Sequence, residues 1–161
     1  MMNRKIIWIV LFSTLFLTAS ENHENGTKEA IVKIYSTAKI PNYQEPWNSS
    51  MRSSTGSGAI IEDGYILTNA HVVADQAFLE VQRYGQRKRY IAKVYAVSHQ
   101  ADLALLKVED KDFFEGVKPL TFGTLPHVEQ KIVVYGYPMG GNTLSATIGV
   151  VSRIEHHAYA H

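Results

Sequence analysis

A chain of 161 residues without a single cysteine is not a disulfide-stapled scaffold, and 16 lysines and arginines against 15 acids give it no excess charge for a polyanion partner. Arg4 and Lys5 precede an apolar run from Ile6 to Leu17, and Thr18-Ala19-Ser20 supplies small residues before Glu21-Asn22-His23-Glu24. Basic, apolar and cleavage regions in that order read as a secretory signal over residues 1–20. The run falls well short of the about 20 apolar residues a membrane span needs, so no stable membrane anchor is expected. Cleavage after Ser20 removes two bases and no acid, leaving 14 against 15 and a net charge of −1. The exported space, periplasmic or otherwise extracytoplasmic, is oxidising, so a cysteine-free chain there depends on its core alone.

After a polar linker at 21–29 the pattern is β almost throughout. Val32 and Ile34 alternate with Lys33, Leu79 and Val81 with Glu80 and Gln82, and Tyr90, Ala92, Val94 and Ala96 surround Lys93 in the same rhythm. Asp63-Gly64 between Ile60-Ile61 and Tyr65-Ile66-Leu67 is a short hairpin signal, and a second turn is expected near Tyr84-Gly85-Gln86. Six strands are predicted at about 30–37, 57–62, 65–69, 78–84, 88–98 and 102–108, enough to close a small barrel. Residues 41–55, with Pro46-Trp47 and a run of serines, read as a loop, and Asp110 to Pro126 as a linker. Two further strands are expected at 131–137 and 144–155, the second half-buried, with Leu144, Ala146, Ile148, Val150, Ser152 and Ile154 on one face. Two or three strands cannot close a second barrel, so exposed edges, loose packing and poor soluble expression are expected there.

His71 ends the apolar strand Leu67-Thr68-Asn69-Ala70, and Asp102 begins Leu103-Ala104-Leu105-Leu106. An imidazole can take a hydroxyl proton near neutral pH and return it to a leaving group. A carboxylate at the head of a strand apolar on both faces would be partly buried and in need of a donor, which a ring nitrogen of His71 can supply. The alternative is an aspartate capping a turn through its own backbone.

Gly56-Ser57-Gly58-Ala59-Ile60-Ile61, Leu67-Thr68-Asn69-Ala70-His71-Val72-Val73, Asp102-Leu103-Ala104-Leu105-Leu106, Val134-Tyr135-Gly136-Tyr137-Pro138-Met139-Gly140-Gly141 and Gly149-Val150-Val151-Ser152-Arg153 resemble, in order, the motifs of the HtrA/Deg serine proteases. Phe113-Phe114-Glu115-Gly116-Val117 and Gly141-Asn142-Thr143-Leu144-Ser145 resemble the branch that includes plant organellar Deg proteases. The resemblance implies an all-β, trypsin-like double β-barrel, the first barrel complete over 30–121 and the second only begun over 122–161. It implies His71 as general base, Asp102 as its orienting carboxylate, unfolded or misfolded proteins as substrates, a homo-trimer of the full-length form, and no cofactor.

The family's Gly-Asn-Ser-Gly-Gly turn, which supplies both nucleophile and oxyanion donors, is absent from the 161 residues, so the chain by itself is expected to be inactive. Ser57 reads instead as part of a flexible lead-in to a strand, and Ser145 and Ser152 as strand positions, solvent-facing or at an edge. His156, His157 and His161 read as an exposed terminal strand rather than a metal site, because His156 and His157, neighbours on a strand, would face opposite ways. Arg83, Arg87, Lys88 and Arg89 read as a solvated hairpin tip rather than a nucleic-acid face, and Gly136 to Gly141 lacks the residues of a phosphate loop. Two functions stand open: the amino-terminal part of an exported serine endopeptidase, or a non-catalytic module that pairs a partner strand on its open sheet edge.

Overall fold

The structure is a computed structural model and describes residues 26–45, 47–138 and 141–155. The signal-like segment and His156, His157 and His161 lie outside those residues. Among the described residues the strands are β1 (Ile31–Pro41), β2 (Ser49–Ile61), β3 (Tyr65–Thr68), β4 (Gln76–Arg83), β5 (Arg89–Ser98), β6 (Leu103–Val108), β7 (Lys131–Gly136) and β8 (Ser145–Val150). The first six close a barrel in the order β1-β2-β3-β6-β5-β4, and β7 and β8 pair as a separate antiparallel sheet. The chain is therefore all-β, with the closed barrel that its alternation predicts.

Period-two patterning fills the barrel. Val32, Ile34, Ile60, Ile66, Leu79, Val81 and Leu106 point inward and are buried, joined by Tyr90, Ala92, Ala104 and Val108. Each large member contributes about 1.5–3 kcal/mol through burial. Phe113, from the short 3-10 turn Lys111–Phe114, packs edge-on against Tyr90 and Phe114 with ring centroids 5.0 and 4.9 Å away. The predicted hairpin at Asp63-Gly64 has positive φ at both residues, 62° and 71°, as a turn twisted to suit its flanking strands requires.

Three local expectations need correction. Residues 49–55 are strand, not loop: the β1–β2 ladder runs unbroken from Ile31↔Ala59 to Pro41↔Ser49. Those residues are polar because the ribbon's outer end stands in water, and backbone pairing does not depend on their side chains. β8 stops at Val150 and is exposed throughout, with Ile148 at 78%, because among the described residues its only partner strand is β7. Gly56-Ser57-Gly58 is no flexible lead-in but lies within β2, with Gly58 so enclosed that an added Cβ would sit 2.8 Å from Ile66 Cγ2 and 3.0 Å from Ile34 Cδ1.

Ser57 and Lys33 stand directly opposite each other on β2 and β1, and both reach out of the barrel to the second sheet. Tyr137 N–H donates to Ser57 Oγ at 2.7 Å. Lys33 Nζ donates to Gly141 O at 2.7 Å and to Asn142 Oδ1 at 2.9 Å, which satisfies an ammonium that is 97% buried and pairs with no carboxylate among the described residues. These bonds fasten the β7–β8 connection to the barrel wall. Ser57→Ala should orphan the Tyr137 amide and loosen that attachment by about 1 kcal/mol. Native-state hydrogen exchange should then speed up at Tyr137 and along β7 while the barrel ladders keep their protection.

Candidate active site

The β3–β6 ladder ends at Thr68↔Ala104, and the two segments stay side by side just beyond it. Ala70 N–H donates to Asp102 O at 3.2 Å, setting residues 69–71 across from Asp102. A 3-10 turn, Ala70–Val72, then lifts His71 over the carboxylate while Ala70 is buried beneath it. Asp102 sits one residue before β6 with φ of +51°, in the left-handed region that aspartate tolerates better than most residues.

Three donors converge on that carboxylate. His71 N–H reaches Oδ1 at 2.9 Å, the His71 ring places Nδ1 2.7 Å from Oδ2, and Asn69 Nδ2 donates to Oδ2 at 3.2 Å. Asn69 Nδ2 also donates to Asp102 O at 3.1 Å. The turn-cap alternative therefore fails, since the donors come from a segment 31 residues away in sequence. The expected partial burial of Asp102 holds, its side chain being 45% exposed, while the His71 side chain is 71% exposed. Donors rather than a dry environment define this carboxylate.

Their effect on its charge is direct. The His71 backbone N–H first, then the His71 ring, hold the Asp102 carboxyl below the usual carboxylate range, with a smaller contribution from Asn69. A depressed carboxyl favours the folded state above its unfolded pKa, and that advantage disappears as pH falls through the depressed value. The carboxylate is thus anionic at neutral pH and accepts from Nδ1, while Nε2 has no hydrogen-bond partner among the described residues. Such a ring is set up to exchange a proton at Nε2.

The other predicted positions are not gathered here. Ser57 Oγ is taken up by Tyr137, and Ser145 and Ser152 are exposed, Ser152 beyond the end of β8. The basic cluster is dispersed: Arg83 turns inward to donate to Phe113 O and Glu115 O at 3.1 and 2.8 Å, Lys88 pairs with Asp110, and Arg89 pairs with Glu80. Asn69, which the sequence reading does not single out, also reaches Asp102.

Residues 56–160 match the family model described as a trypsin-like peptidase domain. The chain is 45% identical over 140 residues to Protease Do-like 2, chloroplastic, of Arabidopsis thaliana, covering 86% of this chain and 23% of that protein. It is 41% identical over 134 residues to the serine protease DegP homolog of Plasmodium falciparum, covering 83% and 15%. The chain belongs to the trypsin-like peptidases, in their HtrA/Deg branch. Among solved structures, this HtrA/Deg chain is similar to the active form of the Rv3671c protease from M. tuberculosis, with a TM-score of 0.61 and 30% identity over 78% of this chain and 49% of that one. It spans about a quarter or less of the length of the two relatives named.

Proposed function

We propose that this chain carries the general-base half of a serine endopeptidase site. His71 takes the proton of a serine hydroxyl through Nε2 and returns it to the leaving amine, while Asp102 holds the proton on Nδ1 and offsets the charge of the imidazolium that forms. The observation that carries this reading is the 2.7 Å contact between His71 Nδ1 and Asp102 Oδ2, on an anionic carboxylate whose other oxygen is fixed by a backbone N–H. Membership of the HtrA/Deg branch supports unfolded or misfolded proteins as the substrates, and a homo-trimer as the assembly of the full-length form. The order of charges and apolar residues in 1–20 supports export. The open edges of the two-stranded β7–β8 sheet would suit a strand-adding module, but such a module has no use for an imidazole aligned on a carboxylate.

The nucleophile and the oxyanion donors are not among these 161 residues, so the chain alone does not cleave peptides. A labelled fluorophosphonate, which marks activated serines, should leave it unlabelled. Labelling that disappears in His71→Ala would reveal a nucleophile within the chain and overturn the half-site assignment.

A further inference from the structure

We propose that Asn69 is a positioning residue for the His71–Asp102 pair, its carboxamide gripping Asp102 at two points so that Oδ2 stays aimed at Nδ1. The proposal rests on the base–carboxylate reading and gives it a third member. A carboxamide nitrogen has two N–H groups. Here Asn69 Nδ2 spends its hydrogen bonds on a single neighbour, reaching the backbone carbonyl of Asp102 at 3.1 Å and its Oδ2 at 3.2 Å.

Each bond answers a separate need. Asp102 has a left-handed backbone, φ +51°, which aspartate tolerates at some cost and which bonds to its peptide help to hold. Its carbonyl receives both Ala70 N–H and Asn69 Nδ2, which ties the peptide down from the β3 side. The carboxylate has its own freedom, because it is 45% exposed and water competes for its lone pairs. The His71 backbone N–H fixes only Oδ1, at 2.9 Å, and one fixed oxygen still lets the group pivot. The His71 ring cannot be the second anchor, since the ring is what must be oriented. Asn69 supplies it, on the oxygen that faces Nδ1.

The residue type fits that task. Aspartate at 69 would offer no donor and would set a second negative charge beside the first, and an apolar residue would leave Oδ2 to solvent. Asn69 is itself exposed, so shortening its side chain opens no cavity in the barrel.

The ring nitrogens report the effect without any activity. In the 15N-labelled 161-residue chain, two-bond 1H–15N correlations at a pH well above the usual imidazole range distinguish the Nδ1–H from the Nε2–H tautomer. The unsubstituted chain should show Nδ1–H as the dominant form. Asn69→Ala and the near-isosteric Asn69→Leu should each lose that dominance toward Nε2–H, while the β3 and β6 amide signals stay in place. A tautomer unchanged in both variants overturns the proposal, and loss of the β3–β6 signals in both assigns Asn69 to the fold instead of to the pair. An unsubstituted chain without the Nδ1–H form overturns the base–carboxylate reading itself, an outcome visible before any variant is made.

Discussion

A chimera in which residues 26–155 replace the matching segment of Protease Do-like 2 should hydrolyse an unfolded protein, and Asp102→Asn within it should lower kcat by about 10⁴-fold with KM little changed. The magnitude follows from which way an asparagine at 102 must face. The His71 backbone N–H, 2.9 Å from Oδ1, cannot move away, so it selects the amide oxygen for that side. The NH₂ group then occupies the place of Oδ2, 2.7 Å from the ring, and donates to Nδ1. Asn69, an exposed side chain, can swing clear of that NH₂ and does not oppose the choice. Nδ1 becomes an acceptor, the ring proton moves to Nε2, and the nitrogen that must receive the serine proton is already occupied. Since Asp102 touches no substrate in this scheme, ground-state binding survives. His71→Ala removes the base outright and should cost about 10⁶-fold in kcat. Asp102→Asn within tenfold of the unsubstituted chimera, or a folded chimera with no activity, would refute the assignment.

What the sequence made legible depended on whether local pattern or distant contact was in control. Val32 and Ile34, or Leu79 and Val81, alternate because one face of each strand is core, and the same alternation can be read from the letters. Asp63-Gly64 announces its turn because few residue pairs accept positive φ twice. His71 and Asp102 stand out in the sequence because each closes or opens an apolar run within a recognisable string, and the fold sets Nδ1 of one 2.7 Å from Oδ2 of the other. Ser57 and Asn69 were misread or overlooked for the opposite reason. Ser57 meets Tyr137 across 80 residues of chain, and its neighbours Gly56 and Gly58 carry no sign of whether they are loose or enclosed. The work of Asn69 depends on the left-handed backbone of Asp102, which nothing in the aspartate or its flanks reveals. Lys33 alternates as an outward residue should, yet it is buried where the β7–β8 connection meets the barrel.

Gly56→Ala should destabilise the barrel by about 1–3 kcal/mol and disturb the His71–Asp102 contact although it touches neither residue. A Cβ at position 56 would lie 2.6 Å from Val72 Cγ1, 2.9 Å from Val72 Cγ2 and 3.3 Å from Val72 Cβ. Both methyls of a β-branched side chain are in the way, so turning χ1 exchanges one collision for another. Relief must come from the backbone at 72, the last residue of the 3-10 turn whose middle residue is His71. Because Gly56 pairs with Ile34 inside the β1–β2 ladder, β2 has little room to retreat in exchange. Val72→Ala removes both colliding atoms and leaves only the 3.3 Å approach, so the double variant should recover most of what Gly56→Ala loses. Denaturant unfolding of the four chains gives the coupling as a double-mutant cycle, expected at about 1–3 kcal/mol in the compensating direction. The Nδ1–H form of His71 should diminish in Gly56→Ala and return in the double variant. Additive losses, or an unchanged tautomer in Gly56→Ala, would show that the 3-10 turn holds His71 in place independently of β2.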